Sequence, residues 1–582
     1  MNDKENKNLK NNNLDDINKK DLNEDKKEKK KQYKEKKVLT PQEKASKNIK
    51  RIMIVFFILL IALISYIAYF GVFQDPTIDN KTGNTAKLAI EKQVIRGNIY
   101  DTFGQALAET KVDGLEQTIY YPFGKATSAV VGYVSPRYGT TGLESTYNKD
   151  LSTYTSDTSI WDDFNIFKLF QDRDKKQYGD NVYTTIDAQL QEVAYKELSQ
   201  YKAGAVVAID PKTGAVLASV SYPDFDPNNL STSMKEDQET GEGLFYDRAT
   251  QGLLAPGSTF KMVTMTSGLE NIPGLGNETF NDPGYIQLGD YKLTDEGSVD
   301  WGKLTLNGAL SVSSNVIFGG IIAVELGNAK LKATAEAFGF NENIPTVGFN
   351  LAESQFPTYS EDQEADIAMS GMGQAQDLAT PTEMALIAGT IANDGVMMRP
   401  YLVSKVVASD GKTVEDTSIE SYRTVMSEAV AQRDQEAMAF VVDQRAWPSK
   451  YDDPDIGDWN EWPEFRDIPD AGAKTGAAQT GKDGDEVDSW FAGYSGDTIA
   501  VAVVVQDTSP EDAIAGHIAG AVMNTYLKQL GMIPDSVDNT TNEGSGDMVS
   551  GKLTVVSDPT NGSKTENTMD ASSANDNAIT AT

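Results

Sequence analysis

Ile52 to Phe73 runs for 22 residues without a charged side chain, and this stretch constrains what the rest of the chain can be. A helix needs about 20 apolar residues to cross the hydrocarbon core of a bilayer, and a helix buried in a soluble domain is seldom apolar on every face. Lys44, Lys47, Lys50 and Arg51 crowd its N-terminal side, which predicts a cytoplasmic N-terminus. No small-x-small cleavage site follows, so the stretch reads as an uncleaved anchor rather than a signal peptide. The expectation is a single-pass cell-membrane protein, held in the lipid bilayer through residues 52–73, with everything after about residue 74 extracytoplasmic.

The anchor sorts the remaining segments. Residues 1–50, rich in Lys, Asn, Asp and Glu, are expected to be a disordered cytoplasmic tail, with 51–73 as the anchor. Residues 74–180 read as a small mixed α/β pedestal domain, with turn signals at Arg96-Gly97-Asn98 and Tyr138-Gly139-Thr140-Thr141-Gly142. Residues 181–535 read as the main domain, and 536–582, rich in Asn, Thr, Ser, Gly and Asp, as a disordered polar tail. Residues 1–51 carry a net charge of +7 and the remainder −41. So acidic a body argues against a nucleic-acid surface.

The chain has no cysteine and one histidine, His517. Thiolate nucleophiles, disulfides and multi-histidine metal sites are therefore excluded, and no cofactor is implied. His517 sits in a small-residue helical run, Ala-Gly-His-Ile-Ala-Gly, which favours a surface or packing role. If a serine is activated in this chain, lysine is the expected base.

Within 181–535, Asp187 is expected to cap a helix reaching about Leu198, and strands are expected at Ala205–Asp210 and Ala215–Ser221 around a Pro-Lys-Thr-Gly turn. Helical patterns dominate from 258 to 395, among them Ala365–Met372 and Pro381–Asn393. Strands return at Ser489–Tyr494 and Thr498–Gln506, before a last helix at Ala515–Leu530. Strands at both ends with helices between imply an α/β (α+β) domain whose sheet is completed by the returning chain.

Pro256 and Gly257 break the chain, and a helix is expected to begin at or near Ser258. Lys261, three residues on, shares a helix face with Ser258, placing an amine beside a hydroxyl. Short motifs of this kind are common. Ser-x-x-Lys recurs at Ser199–Lys202, Ser-x-Asn at Ser46, Ser313 and Ser573, and Lys-Thr-Gly at Lys81, Lys212 and Lys474. Position sorts them: Ser46 precedes the anchor, Ser573 lies in the tail, Lys81 follows the anchor in a polar stalk, and Lys212 fills a hairpin turn. Ser199 falls late in a helix without a break to expose it. Ser258/Lys261, Ser313/Asn315 and Lys474/Thr475/Gly476 remain, in that order within one domain.

This ordered set resembles the Ser-x-x-Lys, Ser-Asp-Asn and Lys-Thr-Gly signature of penicillin-binding proteins and class A β-lactamases. The chain as a whole is similar to the class B penicillin-binding proteins, which are membrane-anchored peptidoglycan D,D-transpeptidases, from about Arg96 to Leu530. The similarity includes Arg96-Gly97-Asn98-Ile99-Tyr100-Asp101, Val131-Gly132-Tyr133-Val134-Ser135-Pro136-Arg137-Tyr138-Gly139 and Thr141-Gly142-Leu143-Glu144. Further on come Arg248-Ala249-Thr250-Gln251-Gly252, Gly371-Met372-Gly373-Gln374 and Thr380-Pro381. The resemblance implies a penicillin-binding/serine β-lactamase-like transpeptidase domain inhibited by β-lactams, and a multi-pass glycan polymerase as working partner.

It also implies roles. Ser258 would attack the penultimate D-alanine carbonyl of a stem peptide, and Lys261, with its pKa lowered by burial and by the nearby charge of Lys474, would take the proton. Ser313 would relay a proton to the departing amine, and Asn315 would offer its amide to the substrate backbone. Lys474 and Thr475 suit the terminal carboxylate, Gly476 would let a peptide lie along the strand edge, and the N–H groups of Ser258 and Ala477 would form the oxyanion hole.

Two departures stand out. The family commonly has a second Thr or Ser after Lys-Thr-Gly, where this chain has Ala477. The stretch Trp447–Pro469, rich in Asp, Glu, Pro and Trp, reads either as a solvated surface insertion or as a lid or partner-contact loop beside the cleft anchored by Trp447, Trp459 and Trp462. Other functions compatible with the motifs are a D,D-carboxypeptidase, which differs only in accepting water, and a non-catalytic β-lactam sensor or cell-wall scaffold. The sensor lacks a substantial cytoplasmic signalling region here. A class A β-lactamase would need a deacylating Glu-x-x-Leu-Asn, which is absent between Asn315 and Lys474.

Overall fold

The structure is a computed structural model describing residues 48–63, 94–114, 116–152, 177–447, 462–480, 486–509 and 514–534. The expected polar tails lie outside these residues apart from 48–50, as does most of the stalk after the anchor. Residues 48–63 are helical and exposed, while the rest of the apolar run, 64–73, is outside the described residues. Among the described residues no helix is long and apolar enough to cross a membrane. Of the second compact unit, Pro534–Thr582, only Pro534 is described.

Five strands form the central sheet: β1 (Ala203–Ile209), β2 (Val216–Tyr222), β3 (Ala471–Gln479), β4 (Val487–Ser495) and β5 (Ile499–Thr508). Their order is β2-β1-β5-β4-β3, and every neighbouring pair is antiparallel. The late strands return beside the early ones, and β3 is left as an edge. Successive side chains of a strand point to opposite faces, and both faces here are covered. Ala500, Ala502 and Val504 enter one core, whereas Val501, Val503 and Val505 enter another. Two-sided burial explains why β5 reads as an unbroken apolar run instead of an alternating one.

Seven helices matter for the site: α1 (Ala188–Leu198), α2 (Lys261–Asn271), α3 (Leu306–Ser311), α4 (Val324–Phe338), α5 (Pro381–Ala392), α6 (Glu428–Ala446) and α7 (Ile514–Gln529). Leu190, Ala194 and Leu198 of α1 and Ile518, Val522 and Met523 of α7 fill the core on one face of the sheet. Helices α2, α4 and α5, with most of the apolar face of α6, fill the other. The starts are capped as their sequences require. Asp187 Oδ1 accepts from the Gln189 and Leu190 N–H groups at 2.9 and 3.0 Å. Thr380 Oγ1 accepts from Glu383 N at 3.1 Å, with Pro381 on the first turn.

A second, six-stranded sheet takes strands Ile99–Tyr100, Ala106–Asp113, Glu116–Tyr120, Asn181–Thr184, Val403–Val407 and Thr413–Asp416. Its members come from both sides of residue 180, so the N-terminal region and the main domain share it. Here the Arg96-Gly97-Asn98 and Thr141-Gly142-Leu143-Glu144 stretches meet. Buried Arg96 Nε donates to Glu144 Oε2 at 2.8 Å and Nη1 to Asn148 Oδ1 at 2.7 Å.

The Trp447–Pro469 stretch divides. Trp447 follows α6 and is 41% exposed, and Trp459 lies outside the described residues. Trp462 is fully buried against Phe465 and Phe491, with ring centroids 5.0 and 5.7 Å away. A Cβ on Gly516 of α7 would fall 2.7 Å from the Trp462 ring. Trp462 is therefore part of the core beneath α7, neither a lid anchor nor a solvated residue. Small residues on α7 make room for an aromatic wedge that reads as loop because Pro and acids flank it.

Candidate active site

The chain break at Pro256-Gly257 opens a tight helical turn, Gly257–Phe260, which α2 continues from Lys261. Gly257 has φ 53°, and a Cβ there would press on Ala477 and Ala478 of β3 at 3.2 Å. Its N–H donates to Gly373 O at 2.9 Å. Gly373 is equally confined: its φ is 75°, and a Cβ would sit 2.2 Å from Gly257 O. The Gly-Met-Gly-Gln loop thus clamps the turn from one side while β3 closes on it from another. Gly476 carries that second contact, since a Cβ there would lie 3.0 Å from Pro256 O and 3.1 Å from Ser258 N. This close approach favours glycine whether or not a peptide lies along the edge.

Lys261 is fully buried. Its Nζ lies 3.0 Å from Ser258 Oγ and 3.2 Å from Ser313 Oγ, and it donates to Ser313 O at 2.6 Å and Asn315 Oδ1 at 2.7 Å. A carbonyl and an amide oxygen can only accept. A neutral amine has two N–H groups for these oxygens, which leaves its lone pair to the Ser258 hydroxyl. Burial lowers the Lys261 pKa to about 7, against the opposing pull of Asp295, Glu296 and Asp282. At neutral pH a large fraction of this lysine can therefore act as a base.

Ser313 follows α3 at φ 58°, in the left-handed region that non-glycine residues enter at a cost of about 1–2 kcal/mol. That turn brings both its carbonyl and its hydroxyl to Lys261. Lys474 Nζ donates to the same hydroxyl at 2.9 Å and to the Thr475 carbonyl at 2.9 Å. Lys474 lies on edge strand β3 yet is almost fully buried. Burial first, then the charges of Lys261 and Arg445, push its pKa well below the ordinary lysine range. The repulsion expected between the two lysines thus appears on Lys474, with burial governing Lys261. One hydroxyl, that of Ser313, bridges both amines, a route for a proton between them.

Asn315 turns its amide inward. Oδ1 holds Lys261, and Nδ2 donates to Thr294 O at 3.0 Å, so here it orients the base. Thr475 and Gly476 are half-buried, and Ala477 is exposed on the β3 edge. The structure therefore brings Ser258, Lys261, Ser313, Asn315 and Lys474 into one hydrogen-bonded cluster, with residues 475–477 beside it.

A family model for the penicillin-binding-protein transpeptidase domain matches residues 204–528, and one for the penicillin-binding protein A dimerisation domain matches 96–182. The chain belongs to the penicillin-binding-protein transpeptidase family. Peptidoglycan D,D-transpeptidase PbpA of Mycolicibacterium smegmatis is 33% identical over 347 residues, covering 56% of this chain and 69% of that protein. MrdA of Escherichia coli K12, also named a peptidoglycan D,D-transpeptidase, is 29% identical over 338 residues, covering 51% and 52%. Among solved structures, a ceftriaxone acyl-enzyme complex of penicillin-binding protein A from M. tuberculosis superposes with a TM-score of 0.65 at 27% identity, covering 75% of this chain and 99% of that one.

For this penicillin-binding-protein domain the rejected motif copies among the described residues have ordinary structural explanations, whereas Ser46, Lys81 and Ser573 lie outside those residues. Ser199 caps the end of α1 with its hydroxyl on Lys196 O, Lys202 pairs with Asp507 at 2.6 Å, and Lys212 pairs with Asp497 at 3.2 Å. His517 is half-exposed on α7 against Glu464 at 2.6 Å, which raises its pKa. A cavity of about 390 Å³ lined by Tyr133, Phe225 and Phe245 includes none of the cluster residues. The sequence reading missed Gly373 as a clamp on the serine turn, and Thr294, Asp282 and Asp295 behind the Ser313–Asn315 turn. Gly373 lies in the Gly371-Met372-Gly373-Gln374 motif, while Asp282 and Asp295 are marked only by unexceptional Asp282-Pro283-Gly284 and Thr294-Asp295-Glu296-Gly297 turns.

Proposed function

We propose that this chain is a serine-type peptidoglycan D,D-transpeptidase that works through a Ser258 acyl-enzyme and is inhibited by β-lactams. The observation that carries the reading is the Lys261 amine, 3.0 Å from Ser258 Oγ with both N–H positions directed to fixed oxygens. Ser258 Oγ attacks the penultimate D-alanine carbonyl of a stem peptide while its proton passes to Lys261. The tetrahedral oxyanion is held by the N–H groups of Ser258, on an opening turn whose first N–H groups lack intrahelical acceptors, and Ala477. The proton returns through Ser313 to the departing D-alanine amine as the C–N bond breaks, leaving the ester. The amine of a second stem peptide then attacks the ester, the crosslink forms, and Ser258 regains its proton. Lys474 and Thr475 take the donor's terminal carboxylate, and that negative charge favours the protonated form of Lys474.

The apolar run 52–73 anchors the chain in the cell membrane with the active site outside, where peptidoglycan lies. A multi-pass glycan polymerase supplies the uncrosslinked strands, the partner implied by the resemblance to class B penicillin-binding proteins. Solubilised full-length protein, incubated with uncrosslinked glycan strands and then digested, is expected to yield crosslinked muropeptide dimers. Trimmed monomers lacking the terminal D-alanine, with no dimers, would instead identify a carboxypeptidase.

Ala477 offers an N–H but no hydroxyl beside the carboxylate end of the cleft. Ala477→Thr is expected to raise the acylation rate by penicillins about 3- to 10-fold, the worth of one added hydrogen bond. Stopped-flow acylation checks this, and an equal or slower rate in the threonine variant would rule out the missing hydroxyl as a weakness.

A further inference from the structure

Two buried carboxyl groups stand directly behind the Ser313–Asn315 turn. Asp295 Oδ1 accepts from Asn315 N at 2.6 Å and Val316 N at 3.0 Å. It thereby caps the helical run Val316–Ala323, and it is 5% exposed. The preceding residue, Thr294, takes the Asn315 side-chain amide on its carbonyl. Asp282 Oδ2 accepts from Ser314 Oγ at 2.5 Å and Oδ1 from Gly284 N at 2.9 Å. All three residues of the Ser313-Ser314-Asn315 turn are therefore fixed, Ser313 by Lys261 and Lys474 in front, and Ser314 and Asn315 by these two carboxyls behind. The remaining oxygen, Asp295 Oδ2, is buried with no hydrogen-bond donor from the described residues. What faces it is the carboxyl of Asp282.

We propose that Asp295, backed by Asp282, is a positioning residue for acylation: it holds Asn315 on Lys261, and its charge sets the protonation of that amine. This deepens the transpeptidase reading and rests on it. The groups facing Lys261 are Asp295, Asp282 and exposed Glu296 on the acidic side, and Lys474, with Arg445 beyond it, on the basic side. Burial and the Asp282 carboxyl raise the Asp295 pKa to about 6. Above that pH Asp295 is anionic and draws a proton toward Lys261. Below it Asp295 takes up a proton and that pull fades. The aspartate thus opposes the burial that keeps the amine free, and prevents its basicity from collapsing in a dry site. Weakly basic amines are poor proton acceptors even when deprotonated.

The test is the pH profile of acylation by a fluorescent penicillin, from pH 5.5 to 9, on full-length protein in detergent. Wild type is expected to rise through about pH 7. Asp295→Asn keeps an acceptor for the two N–H groups and turns a donor toward Asp282. Its midpoint should move down by about half to one pH unit, making acylation at pH 6 about three- to fivefold faster, with the plateau lowered no more than about threefold. Asp295→Ala loses the acceptor as well, and its plateau should fall at least about tenfold at every pH. Should Asp295→Asn not fold, Asp282→Asn removes the weakest of the three acidic pulls on Lys261 and should move the midpoint down by a smaller step. A midpoint unmoved in the folded asparagine variant overturns the proposal alone. A wild-type profile with no rise between pH 6 and 8 overturns the Lys261 assignment too.

Discussion

Ser258→Ala leaves a folded protein that fluorescent penicillin no longer labels. The substitution removes one oxygen, and the covalent adduct forms on that oxygen, so the loss is complete rather than graded. Its structural cost is small for an equally specific reason. Ser258 is only half-buried, and Lys261 keeps Ser313 O, Ser313 Oγ and Asn315 Oδ1 as partners after the hydroxyl is gone. No buried polar group is orphaned, and the stability change should stay within about 1 kcal/mol. In-gel fluorescence of membranes from cells expressing each form reads the labelling, and a thermal melt of the purified proteins reads the fold. Labelling that persists in a folded alanine variant would remove Ser258 from the reaction.

The parts of this site legible in the sequence are those that follow from local chemistry. A chain break before a helix marks the Ser258 turn, three-residue spacing puts Lys261 on the same face, and inventory removes histidine and cysteine as competitors. The sheet is legible too, because β5 is buried on both sides and must read as an apolar run. What the sequence hides depends on approach across long separations. Gly476 looks like a place for a peptide, but a Cβ there would also crowd Pro256 O and Ser258 N at 3.0 and 3.1 Å. Asn315 looks like a hand for substrate, but its oxygen holds the base because Thr294 occupies its amide. Trp462 looks like loop because its partners, Phe491 and Gly516, lie far along the chain. The lysine pair shows the limit most directly. From sequence, burial and the charge of Lys474 should together lower the Lys261 pKa, yet burial and three acidic neighbours decide Lys261, and the repulsion is expressed in Lys474.

Lys261→Met should lower the acylation rate about 10²- to 10⁴-fold, the usual worth of a positioned general base, and abolish the rise through pH 7. Methionine matches the lysine stem in length and apolar character, so Ser258 keeps its place and loses only its proton acceptor. Lys474, relieved of a positive neighbour, should hold the substrate carboxylate at least as well. Non-covalent affinity should therefore persist while the chemical step fails, a split that separates loss of a base from collapse of the cleft. The stability sign is also fixed. Folding depresses the Lys261 pKa from 10.5 to about 7, so between those pH values the unfolded chain holds a proton that the folded chain has released. The cost of burying this amine, on the order of 4 kcal/mol at neutral pH, is complete below pH 7 and vanishes as pH rises to 10.5. Methionine removes that cost but orphans Ser313 O and Asn315 Oδ1, at about 1–3 kcal/mol each. The melting temperature at pH 7 should consequently stay near wild type, and the gain in stability that wild type shows from pH 7 to 10 should shrink in the variant. Denaturant titrations at pH 7 and 9 read the difference. A methionine variant that acylates within threefold of wild type, with its pH profile intact, would place the base elsewhere. Ser313, bridged to Lys474 at 2.9 Å, would then be the group to replace next.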